Sequence, residues 1–152
     1  MTTDQEARDK VVSVSREIAA TPEAIFALLA DPASHHRFDG SDTVLSGDDD
    51  NPDRLHLGAR FGMRMRIVVP YHMNNEVVAF EEGRTIAWRH FGHHVWRYDL
   101  EPTDNEATVV TESFNWGVAR FPPFYEWVGY PERHRTNIER TLERLEAAVT
   151  AA

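Results

Sequence analysis

Glu112 is the side chain of this sequence best placed to do chemistry. It lies in the alternating run Thr108 to Trp116, where Val110, Phe114 and Trp116 share its parity. Residues two apart on a strand share a face, so its carboxyl group points where the apolar residues are buried. A carboxylate there loses water unless it is paired, and that loss raises its pKa into a range useful to an acid or base. The structural alternatives are a pairing with an arginine, or sheet curvature that turns the group outward. His134 is the second candidate. It falls one helical turn before Ile138 on an apolar stripe, as a cavity acid or base or as a hydrogen-bonded core histidine.

Eight histidines raise the question of a metal. His90, His93 and His94 gather at a hairpin tip, and His35-His36 fall in a loop. Zinc requires three or four convergent ligands in fixed geometry. Neighbouring strand residues point to opposite faces, and no H-E-x-x-H signature occurs. No metal and no other cofactor is expected. A glycine-rich phosphate loop, a G-x-S-x-G elbow and a paired-carboxylate motif are likewise missing from the sequence.

The elements that must position these groups are legible from periodicity. Val11 to Ile18 reads as a first strand. Thr21-Pro22-Glu23 opens a helix that carries Ile25, Phe26, Leu28 and Leu29 and stops before Pro32. A second short helix is expected from Pro32 to Phe38, ended by Gly40, and a short strand over Thr43 to Ser46. Phe61, Met63, Met65 and Ile67 then alternate with Gly62, Arg64, Arg66 and Val68. Pro70-Tyr71 is expected to break the run, with a strand resuming from His72 to Phe80.

Thr85–His90 and His94–Leu100 form the next hairpin. A three-residue loop, Phe91-Gly92-His93, sets His90 opposite His94, Trp88 opposite Trp96 and Ile86 opposite Tyr98. This register puts every large aromatic on one face, and a slip of one residue scatters them. After the strand Thr108 to Trp116 comes an aromatic connection, Arg120 to Trp127. The chain closes with a helix from Pro131 to Val149, ~28 Å long. Its stripe is Ile138, Thr141, Leu142, Leu145 and Val149, and its other faces are charged.

Grouped strands with segregated helices indicate an α+β domain. Residues 1–10 are expected as a flexible arm and 11–150 as one domain. A strongly bent antiparallel sheet around one helix leaves a space between them where a ligand would sit. The expected lining is Met63, Met65, Trp88, Trp96, Tyr98, Phe114, Trp127 and Ile138. Aromatic rings offer flat apolar surface with polar tips, and methionine adapts to irregular shapes.

Composition narrows the function classes. The formal charge of −9 argues against general nucleic-acid or anionic-membrane binding. No run of eighteen apolar residues occurs, so no membrane insertion is expected. With no cysteine there is no disulfide, thiolate metal site or thiol nucleophile. The opening residues lack a signal-peptide pattern, and a cytoplasmic location is the default expectation. Nothing in the sequence sets an oligomeric state.

The chain resembles the helix-grip superfamily, which includes START domains, plant pollen-allergen-like proteins and the polyketide cyclase/dehydrase and lipid-transport group. The matching residues are Val14 to Ile18 before Thr21 to Pro32, then Glu76-Val77-Val78, Ile86-Ala87-Trp88, Thr108 to Thr111 and Leu142 to Leu145. The resemblance runs from Val11 to Val149. It implies a helix-grip fold, a curved antiparallel sheet wrapped around a long C-terminal helix, with two short helices after strand 1. It transfers no catalytic residue, because the superfamily shares no catalytic motif. The expected partner is a small or medium hydrophobic molecule, lipid-, polyketide- or aromatic-like. Two classes follow: a carrier of such a compound, or an enzyme of the cyclase/dehydratase type using Glu112 or His134. A third is an interaction module whose cavity has collapsed.

Overall fold

The computed structural model describes residues 10–66, 69–90, 94–116 and 130–150, the last of these with side chains from His134 onward. β1 (Val11–Ile18) leads into α1 (Pro22–Leu29). Thr21 caps α1 by accepting the Ala24 N–H on its hydroxyl oxygen at 3.3 Å, and Pro22 occupies the first helical position. The apolar face of α1, Ile25, Phe26 and Leu29, is wholly buried.

The single helix expected over 32–38 is instead a 3-10 turn, Pro32–Ser34, followed by one α turn, α2 (His35–Phe38). Asp31 accounts for the tight start. Its carboxylate accepts the Ala33 N–H at 3.0 Å and the Ser34 hydroxyl at 2.8 Å. His35 therefore sits on a helix and not in a loop.

Six further strands follow: β2 (Val44–Gly47), β3 (Arg60–Arg66), β4 (Pro70–Glu81), β5 (Thr85–His90), β6 (Val95–Pro102) and β7 (Thr108–Asn115). Together with β1 they make a seven-stranded sheet in the order β1-β7-β6-β5-β4-β3-β2, and each neighbouring pair is antiparallel. The aromatic hairpin has the expected register, with Trp88 facing Trp96 and Ile86 facing Tyr98. The His90 N–H donates to the His94 carbonyl at 3.1 Å; loop residues 91–93 lie outside the described residues, as do Ile67 and Val68.

Pro70-Tyr71 does not break the ladder. Pro70 is the first residue of β4, opposite Arg66 at the end of β3, a position where a strand tolerates a missing N–H. The irregularity comes later, between Val77 and Ala79, where the β4–β5 register shifts by one residue and Val78 is exposed. Such a bulge bends a strand and increases its twist.

α3 (Tyr130–Thr150) completes the helix-grip arrangement. Its second half packs on β1 and β7, burying Leu142 and Leu145 with Ile18 and Val110, and Arg16 reaches Glu146 at 3.1 Å. The loop after α2 presses on the same helix at Gly40. The Gly40 N–H donates to the Thr141 hydroxyl at 2.8 Å. A Cβ at Gly40 would overlap the Asn137 carbonyl oxygen and the Arg140 Cβ, so only glycine fits this approach.

Candidate functional site

A cavity of about 420 Å³ lies between the sheet and α3. β3 contributes Phe61, Met63 and Met65, and β4 contributes Tyr71, Met73 and Asn75. β5 and β6 add Trp88, His90, Trp96 and Tyr98, β7 adds Glu112, and α3 adds His134, Asn137, Ile138 and Thr141. His35, Phe38 and Asp39 from α2 and its C-cap close one side. The alternation of each strand explains the set. Phe61, Met63 and Met65 on β3, and Met73 and Asn75 on β4, are spaced by two.

Glu112 is 3% exposed. It pairs in register with Tyr98 across β6 and β7, and the Tyr98 hydroxyl donates to its Oε1 at 2.8 Å. Among the described residues its Oε2 has no hydrogen-bond partner. Burial pushes the Glu112 pKa well above the ordinary carboxylate value, opposed by the Tyr98 hydrogen bond and reinforced by the negative charge of Asp39. Burial, followed by the charge of Glu112, likewise raises the Tyr98 phenol well above its usual value. Asp39, held by the Ser41 hydroxyl at 2.5 Å, is also raised, mainly by burial.

The histidines take up defined places. His35 lies flat on Trp88 with ring centres 4.9 Å apart, and its Nε2 meets the Leu29 carbonyl at 2.9 Å. Burial lowers its pKa to about 4. His90 and His94 stack at 4.7 Å; burial takes His94 down to about 4 and His90 well below its ordinary value. His134 faces Trp96 at 4.9 Å and Phe114 at 4.4 Å. At neutral pH the imidazoles of His35, His90 and His94 are therefore uncharged. Among the described residues no three acids or histidines are grouped so that they could hold a metal ion.

Of the side chains expected from sequence, Met63, Met65, Trp88, Trp96, Tyr98, Glu112, His134 and Ile138 meet around this one space. Phe114 does not line it. Phe114 is fully buried, its ring packed by Trp96 at 4.7 Å, its neighbour across β6 and β7, by His94 at 5.2 Å and by His134 at 4.4 Å. Trp127 lies outside the described residues. The sequence gives no lining expectation for Asn75, Asp39, Tyr71 and Met73; it raises His35, His90 and His94 only against a metal, and Phe61 only as part of the β3 alternation. Alternation from Met73 through Asn75 to Val77 was the available signal for Asn75. The positions of His35 and Asp39 depend on how α2 docks.

The model of the family described as polyketide cyclase / dehydrase and lipid transport matches residues 10–150. The chain belongs to this family. Among curated proteins it is similar to the uncharacterized protein Rv0088 of Mycobacterium tuberculosis, 34% identical over 139 residues, covering 88% of this chain and 62% of the relative. The chain thus spans about three-fifths of the length of the curated relatives it matches. Among solved structures, protein CV1439 from Chromobacterium violaceum aligns with a TM-score of 0.74 at 14% identity, over 95% of this chain and 99% of that one. The AHSA1-like protein from Aeromonas hydrophila gives 0.65 at 16% identity, over 93% and 97%. These likenesses show the family's helix-grip fold. No helix among the described residues is long and apolar enough to cross a membrane.

Proposed function

We propose that this protein binds a small or medium apolar molecule, lipid-, polyketide- or aromatic-like, in the space between sheet and α3. The observation that supports this reading best is the 420 Å³ cavity itself, walled by aromatic rings and methionines with polar side chains set among them. Ligand sites have this size and make-up, in which apolar walls supply affinity and a few polar atoms fix orientation. The family description, which includes lipid transport, agrees.

The test is titration with a neutral environment-sensitive dye such as N-phenyl-1-naphthylamine, together with native mass spectrometry of the purified protein. Saturable binding of one dye per chain is expected, and Val44→Trp, which adds bulk to the part of the cavity wall that β2 contributes, should weaken it at least tenfold. Absence of saturable binding, or binding unchanged in Val44→Trp, would reject the cavity as the site.

A second reading, an enzyme of the cyclase/dehydratase type, is favoured by one observation: several titratable groups face the same space. Glu112 with Tyr98, and His134 beside Trp96, place a carboxyl group and an imidazole on the same space, the residue types of an acid–base pair. On this reading Glu112→Gln abolishes turnover of a cognate compound and leaves its binding nearly intact. On the carrier reading only affinity changes.

A further inference from the structure

Three of the side chains that line the cavity carry a buried acceptor atom without a hydrogen-bond partner among the described residues: Glu112 Oε2, Asn75 Oδ1 and His90 Nδ1. Each can accept a hydrogen bond. Asn75 and His90 face each other across β4 and β5. Glu112 belongs to the row of Ile86 and Tyr98, four residues along β5 from His90, or ~13 Å at strand spacing. Trp88 and Trp96 form the row between these ends.

The charges are one-sided. Two carboxyl groups, Glu112 and Asp39, line the space, and no lysine or arginine is among the described lining residues. A carboxylate or phosphate ligand would meet two acids and no counter-charge, which a buried ion does not tolerate. A cation meets the opposite situation. It can pair with a carboxyl group and lie against the electron-rich faces of Trp88, Trp96 and Tyr98.

We propose that the cavity takes an apolar frame carrying a basic nitrogen, with the ammonium seated on the Glu112 carboxyl group beside the aromatic rings. The inference rests on the ligand-binding function above and names the chemical class of the ligand. An ammonium brings up to three N–H donors, which matches a site that offers acceptors. Tyr98 keeps its hydroxyl on Oε1 at 2.8 Å, and Oε2 has no partner among the described residues. Asn75 and His90, beyond the tryptophans, would accept from a second donor on a longer molecule.

The experiment is a calorimetric titration of the whole chain at pH 7.5 with three probes on one frame: 2-naphthylethylamine, 2-naphthylethanol and 2-naphthylacetate. The amine should bind at least tenfold more tightly than the alcohol, and the acid should bind more weakly than either. Glu112→Gln, which preserves shape, should remove the amine's advantage while leaving the alcohol's affinity within about threefold. The wild-type series decides even if that variant is poorly folded. Alcohol or acid binding as tightly as the amine would overturn the inference and leave the apolar-ligand function standing. Failure of all three probes, together with failure of the neutral dye, would overturn both.

Discussion

At Glu112 one carboxyl oxygen holds the Tyr98 hydroxyl and the other has no partner among the described residues. Folding raises its pKa from 4.5, so above that pH the unfolded chain gives up its proton more readily than the folded one. The site's contribution to stability is therefore full below pH 4.5 and declines as pH rises toward the folded pKa. Glu112→Gln has no charge to bury and should be more stable than the parent at pH 7, with the gap closing near pH 4. Urea unfolding at the two pH values measures this, and an equal effect at both would contradict it. His35 runs the other way. Its pKa falls from 6.5 to about 4 on folding, so the unfolded chain takes up the proton first. Stability is lost as pH drops from 6.5 to 4, by roughly 3 kcal/mol for a group so deeply buried. His35→Gln can keep a hydrogen bond to the Leu29 carbonyl and should flatten that acid limb in the same unfolding series.

At the scale of elements, α3 does two jobs along its length. Leu142 and Leu145 close the core against β1 and β7, while His134, Asn137 and Ile138 stand over the cavity. Leu142→Ala should therefore cost ~2–5 kcal/mol in denaturant unfolding, the range for a large-to-small change in a packed core. A loss under about half a kcal/mol, as at a surface site, would mean that the stripe is not packed. Gly40 sets how closely the loop after α2 approaches α3. Gly40→Ala drives a methyl group into the backbone at Asn137, and overpacking of this kind costs ~1–3 kcal/mol. Because Asp39 and Phe38 adjoin it on the cavity wall, this variant should also weaken dye binding, unlike Leu142→Ala at equal loss of stability. Comparing the two by dye titration under native conditions separates the effects.

For the molecule as a whole, the described residues of the sheet and α3 enclose a cavity between them, and the proposed ligand would fill it. A ligand that binds only the folded state stabilises it by about 2.7 kcal/mol at a hundredfold excess over Kd. Thermal unfolding with a saturating cavity ligand should show a matching rise in Tm, absent in Val44→Trp. Much of this architecture was readable in the sequence, because strand and helix periods assign faces without knowledge of their partners. The alternation at Phe61, Met63 and Met65, the aromatic parity of Trp88, Trp96 and Tyr98, and the stripe from Ile138 to Leu145 each located a wall of the space. Proline at the start of a strand misled, since Pro70 ends one reading and begins another depending only on what lies beside it.

The sequence by itself determined which side chains turn inward, since parity on a strand and spacing on a helix are local geometry. It thereby placed Glu112 on the buried face of β7 and His134 one turn before Ile138. Tertiary structure alone decided what those inward groups meet. β6 against β7 gives Glu112 the Tyr98 hydroxyl and packs Trp96 on Phe114, and the docking of α2 lays His35 on Trp88. These pairings join residues from different elements across gaps of 14 to over 50 positions. No local period encodes such distances; the common packing of sheet, α2 and α3 around one space sets them.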